Sequence, residues 1–80
     1  MNIYQLSHIA KCPNGVLSDS YEITIKSPKT IMVEDILHEL EKIESHIYQE
    51  DLATKLRSAI GAEISIVGYH HGIKITTIRK

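Results

Sequence analysis

The sequence predicts an α+β domain of order ββααββ: a four-stranded antiparallel sheet with two helices packed on one face. Three observations carry that expectation. Stretches near both ends of the chain alternate apolar and polar residues with a period of two. The middle carries two apolar stripes at helical spacing. Turn residues lie between the members of each strand pair, so each pair can close as a hairpin, and both helices can then cover one face.

The first strand is expected over residues 3–10. Ile3 and Ile9 share one parity; Tyr4, Leu6 and Ala10 share the other. Apolar residues on both parities predict a strand covered on both sides. Pro13-Asn14-Gly15 follows, a strong turn signal, because Pro presets φ and Asn-Gly accepts left-handed positions. The loop is expected to run to Ser20. Over 21–27, Tyr21, Ile23 and Ile25 alternate with Glu22, Thr24 and Lys26, which predicts a strand with one wet face.

Val33, Ile36, Leu37, Leu40, Ile43 and Ile47 then form one helical stripe, with Glu34 and Asp35 in the first turn opposing the positive dipole end. A break near 46–49 precedes a second helix over about 50–60. Its stripe is Leu52, Leu56, Ala59 and Ile60, with Ala53 at the margin. Glu50 and Asp51 open it, and Gly61 is placed to close it in the left-handed conformation. The last segment reads as a hairpin. Ile64 and Ile66 lie on one arm, Ile73 and Ile75 on the other, and a three-residue turn ends at Gly72.

Eighty residues make one domain, 1–80, with a thin core. Hydrophobic residues are 42% and charged residues 24%, the balance of a folded domain rather than a disordered chain. With no Trp and no Phe, isoleucine and leucine must build the core. The net charge of −1 lacks the footprint of a nucleic-acid binder, so nucleic acid is not expected as a partner; Tyr69, His70, His71, Lys74 and Arg79 are the residues such a role would use. No apolar stretch reaches membrane-span length, and the N-terminus does not read as a signal peptide. One cysteine excludes an internal disulfide and suits a reducing compartment. The expected location is cytoplasmic.

Little in the chain carries chemistry. The five histidines lack a metal-binding spacing, and His70-His71 falls in an expected exposed turn. Cys12 has Lys11 beside it, yet an unpaired cysteine is commonly a small buried apolar residue. The carboxylate pairs open helices, which explains them without catalysis. No phosphate loop or nucleophile elbow appears.

Lys11-Cys12-Pro13-Asn14-Gly15, followed by Ser20-Tyr21-Glu22-Ile23-Thr24-Ile25, resembles the 6-pyruvoyl- and 6-carboxy-tetrahydropterin synthases, as do Ile31-Met32-Val33-Glu34-Asp35-Ile36 and Glu50-Asp51-Leu52-Ala53 at the two helix starts. That resemblance implies the tunnelling fold, whose unit is two strands, two helices and two strands. It also implies a site: His8 stands where a zinc histidine comes, and Ser45-His46 stands near the family's Asp-His pair. The family's HGH zinc motif falls on Ser18, Asp19 and Ser20, so the zinc motif is not retained.

Two functions follow. The first is a small non-catalytic binding domain of the regulator or inhibitor type, acting through a protein partner or self-association, with no cofactor. Its interaction residues are Val67, Tyr69, His70, His71 and Lys74, on a sheet face that two helices on the other side cannot cover. The alternative is a tunnelling-fold enzyme or ligand-binding relic, with Cys12 and His46 as its reactive pair and zinc held by His8 and Asp19.

Overall fold

The computed structural model describes residues 1–11 and 18–80. Four strands form one open sheet in the order β1 (Asn2–Lys11), β2 (Ser18–Ser27), β3 (Glu63–His70), β4 (Ile73–Arg79), each antiparallel to the next. Helices α1 (Val33–Glu41) and α2 (Gln49–Ile60) lie between β2 and β3 in the chain. Both the element order and the antiparallel pairing match the expectation from sequence.

The period-two pattern builds the core. Registers Ile23↔Ile66 and Ile25↔Ile64 set four isoleucines side by side, all fully buried. Tyr21 extends this floor, and Leu52, Ala53 and Leu56 of α2 close over it. Each buried isoleucine or leucine here contributes roughly 1.5–3 kcal/mol by leaving water. α2 lies across β3 and β4, with α1 beside it. The segment entering α1 is tied to β1, where the Tyr4 hydroxyl accepts from the Ile31 N–H at 2.8 Å. α1 therefore sits on the β1 side of α2.

Four expectations are corrected. First, β1 is covered on one side: Tyr4, Leu6 and Ala10 face the helices, while Ile3 and Ile9 are 56% and 68% exposed. Second, β2 begins at Ser18 rather than Tyr21, because Asp19 and Ser20 pair with Ala10 and Ile9. The Pro13-Asn14-Gly15 turn lies outside the described residues.

Third, the first helix ends at Glu41 rather than continuing toward Ile47. Its last turn tightens, with Lys42 N–H to Glu39 C=O and Ile43 N–H to Leu40 C=O. The chain then leaves for β1: Lys11 N–H donates to Ser45 C=O at 2.7 Å, and Ile47 N–H to Lys11 C=O at 2.9 Å. These bonds satisfy backbone groups that a continued helix would satisfy. Ile47 is buried by this crossing, whereas Val33 and Leu37 stay 55% and 51% exposed. Fourth, the last hairpin turns on two residues. His71 and Gly72 have φ of 51° and 80°, the two positive φ values that a type I′ turn needs. Gly61 does close α2 in the left-handed conformation, with φ 74° and its N–H on Arg57 C=O.

Candidate functional site

Among the described residues, nothing covers the sheet face away from the helices. Its residues are Ile3, Gln5, Ser7 and Ile9 on β1, Ser20, Glu22, Thr24 and Lys26 on β2, Glu63 to Tyr69 at odd numbers on β3, and Lys74, Thr76 and Ile78 on β4; none of these is buried. Ser7 Oγ donates to the Glu22 carboxylate at 2.8 Å, and Lys26 Nζ lies 4.0 Å from Glu63 Oε2. Ile3, Ile9, Tyr69 and Ile78 are at least half exposed among these polar groups.

The interaction residues expected from sequence divide over this geometry. Val67, Tyr69 and Lys74 share the uncovered face, with Tyr69 directly opposite Lys74. His70 has the other parity, opposite Ile73, and is exposed. His71 sits in the turn, and the two imidazoles meet edge to face with centroids 4.4 Å apart.

Among the described residues, both sheet edges are open for most of their length. Lys11 directs its N–H and C=O away from β2, toward 45–47. Alternation along the strand then directs those of Ile3, Gln5, Ser7 and Ile9 the same way. Among the described residues, Lys11 supplies the backbone bonds β1 makes beyond its pairing with β2. The same alternation, carried through the registers, turns Lys74, Thr76 and Ile78 outward on β4. Arg79 Nη1 returns to Ile78 C=O at 3.1 Å.

The alternative site maps to one corner. His8 is opposite Tyr21, Asp19 is opposite Ala10, and His46 is bridged to Lys11. His8 is partly buried on the helix side, and burial lowers its pKa. His46 is exposed, its Nδ1 3.2 Å from Ser45 Oγ. No group of three or more His, Cys, Asp or Glu among the described residues is arranged to hold a metal ion. Cys12 lies outside the described residues.

Two residues that matter here are not evident from the sequence pattern. Gln49, the first residue of α2, is buried and donates into the β3–β4 pair. A polar residue in the helix break carries no periodic signal. Gly68 falls among turn residues in the sequence, yet it is a strand residue. A Cβ there would come within 2.6 Å of Gln49 Oε1 and 2.7 Å of the Tyr21 ring. An isolated glycine inside a strand pattern is the available signal for such a close approach.

No family model and no curated protein matches this chain. Among the described residues no helix is long and apolar enough to cross a membrane. A solved structure, the archaeosine synthase QueF-Like in the apo form, matches with a TM-score of 0.83 at 15% sequence identity. The match covers 98% of this chain and 89% of that one. At that identity the likeness carries the fold: the chain has the tunnelling-fold arrangement of strands and helices.

Proposed function

We propose that this chain is an interaction domain that works by association through its open sheet. The observation that supports it is the pair of unpaired edges flanking an uncovered face. Among the described residues, β1 offers free backbone groups from Ile3 to Ile9 and β4 from Lys74 to Thr76 and at the Ile78 N–H, beside exposed Ile3, Ile9, Tyr69 and Ile78. Long exposed edges template further strands. A regulator or inhibitor would use the same surface to take up a strand of another protein. Val67, Tyr69 and Lys74 are the contact residues on the face, with His70 and His71 at its rim.

A second reading is favoured by the fold likeness. An archaeosine synthase shares this architecture, so a ligand-binding relic would keep the corner of His8, Asp19 and His46, with Cys12 as its reactive thiol. Zinc belongs to this reading and has no place in the first.

Native mass spectrometry of freshly purified protein tests both. A defined oligomer that Gln5→Pro converts to monomer supports association through the β1 edge. A monomer that persists to about 100 μM, a binding free energy of only about 5.5 kcal/mol, sinks self-association. A species carrying zinc or a small organic molecule moves the assignment to the second reading. Cys12→Ser then separates the two. Assembly unchanged in that variant fits the first, and loss of the bound species fits the second.

A further inference from the structure

Helix α2 turns Glu50, Thr54 and Arg57 toward β4, at i, i+4 and i+7. Thr54 joins the two elements: its Oγ1 donates to Glu50 C=O at 3.0 Å and accepts from Arg79 Nε at 3.2 Å. Arg79 is held at a second point, where its Nη1 donates to Ile78 C=O at 3.1 Å. Arg57 lies three residues beyond Thr54 on the same side of the helix, so two guanidinium groups are brought to one seam. This seam is remote from the corner of His8, Asp19 and His46. Arg79 pairs with Ile64 at the start of β3, whereas Tyr21, the partner of His8, lies against Gly68 near the other end of that strand.

The charges on the seam are not balanced from within. The Arg57 side chain makes no hydrogen bond and no ion pair among the described residues, and its Nε is fully buried while its Nη groups reach the surface. Lys42 and Lys55, the lysines of the helix layer, are paired with Glu39 and Glu44. Neither arginine has such a partner among the described residues. Glu50 is the acidic residue on this side of α2, and it is exposed and in no ion pair there. A guanidinium in a protein is a fixed cation. Two of them on one seam repel, and burial of Nε removes water that would otherwise screen the charge. An anion seated at the seam relieves both effects.

We propose that Arg57 and Arg79 bind a phosphate group on the seam between α2 and β4, as the free ion or as a phosphate monoester. A carboxylate fills one guanidinium fork with its two oxygens. A phosphate presents three acceptor oxygens and about −1.5 to −2 charge at neutral pH, so it serves the Nη groups of both arginines at once. The bonds to Thr54 and Ile78 fix the Arg79 fork before the anion arrives, and burial of Nε fixes the stem of Arg57, so little side-chain freedom is lost on binding. The partly buried position of Arg57 strengthens its pull on a counter-charge relative to a cation in open water. The site lies within one copy of the chain, on the helix side of the sheet, and it stands or falls independently of the association reading.

Titration of the full chain with inorganic phosphate and with phenyl phosphate, followed by NMR through the arginine Nε–H signals, tests this. Saturable binding with a Kd of about 1 mM or tighter is expected for at least one of the two probes. Arg57→Gln and Arg79→Gln are each expected to weaken it at least about tenfold. Circular dichroism checks that both variants fold, and Arg79→Gln decides alone if Arg57→Gln does not. Arg57→Lys keeps the charge and loses the fork, and it is expected to weaken phosphate binding by a similar factor. Acetate is expected to bind wild type at least about tenfold more weakly than phosphate. Tighter binding of phenyl phosphate assigns the site to a monoester; equal or tighter binding of inorganic phosphate assigns it to the free ion. Absence of saturable binding by either probe overturns the proposal. Binding that survives the glutamine variants also overturns it, and acetate binding as tightly as phosphate removes the phosphate assignment.

Discussion

Gln49 and Thr77 meet inside the core, 28 positions apart, with Gln49 Nε2 donating to Thr77 Oγ1 at 3.1 Å. The same amide nitrogen reaches Ile66 C=O at 3.0 Å and Ile75 C=O at 2.9 Å. The first residue of α2 is thereby pinned over the β3–β4 pair, and the apolar stripe of the helix falls onto the isoleucine floor. Replacing Gln49 by Leu takes the amide donor from the buried Thr77 hydroxyl, while Ile66 C=O and Ile75 C=O keep their ladder partners Thr77 and Gly68. A loss of about 1–3 kcal/mol is expected. Urea unfolding measures it as a lower midpoint at unchanged slope; a midpoint equal to wild type would show that the amide does not hold the helix.

Gly68 and Gly72 are expected to answer oppositely to substitution. A methyl at Gly68 runs into the Gln49 amide and the Tyr21 ring, and neither can retreat, because both are buried. Gly68→Ala is expected to cost about 1–3 kcal/mol through overpacking. Nothing lies within 4 Å of a Cβ at Gly72, and its φ of 80° is one that Asn accepts. Gly72→Asn should therefore cost clearly less than Gly68→Ala, about 1 kcal/mol or below. Equal losses in thermal unfolding would remove the steric account of Gly68.

The regular parts of this fold are legible because their residues repeat. Tyr21, Ile23 and Ile25 on one parity, and Leu52 and Leu56 at helical spacing, each define a buried side without reference to the rest of the chain. Sequence and structure diverge where a distant partner decides. Ile43 and Ile47 continue the helical stripe in sequence, yet Lys11 captures the backbone at Ser45 and Ile47, and no local pattern encodes Lys11. Ile3 and Ile9 look like core residues, but among the described residues none lies over their face of the sheet. Of the candidate site, Val67, Tyr69 and Lys74 are readable from strand parity. His70 joins them only if the turn is one residue longer than the structure makes it.

The stability of the chain should fall in mild acid through His8. Burial lowers its pKa in the folded state. The unfolded chain, with an imidazole pKa of about 6.5, then binds more protons over the window just below that value. A depressed folded pKa contributes stability that is present above the unfolded pKa and lost as pH falls through the folded one. Denaturation midpoints at about pH 7.5 and about pH 5, on either side of that window, are expected to differ, the lower midpoint at the lower pH, with His8→Gln narrowing the gap. An NMR titration that places the His8 ring at or above its value in the unfolded chain would contradict this.

Gln5→Pro and Leu6→Pro test the orientation of β1 directly. Lys11 turns its backbone away from β2, so by alternation Gln5 also points outward, while the backbone of Leu6 points toward Ile23. Proline at Gln5 removes an N–H that bonds to nothing else among the described residues, a position where edge strands accept it. Its cost in the isolated chain should stay near about 1 kcal/mol or below, since β1 is extended there and φ near about −65° is a modest change. Proline at Leu6 deletes a ladder bond and forces its ring toward β2, at about 3 kcal/mol or more, a large share of what a domain this small has. Because association stabilises the folded chain by mass action, the comparison belongs at concentrations where wild type is monomeric. Hydrogen exchange supplies the second readout: the Gln5 amide should exchange freely in the monomer and become protected on assembly, while the Leu6 amide is protected in both. Protection of Gln5 in the monomer would mean that the strand presents its other row of backbone groups outward, and the edge available for association would have to be redrawn on Tyr4, Leu6 and His8.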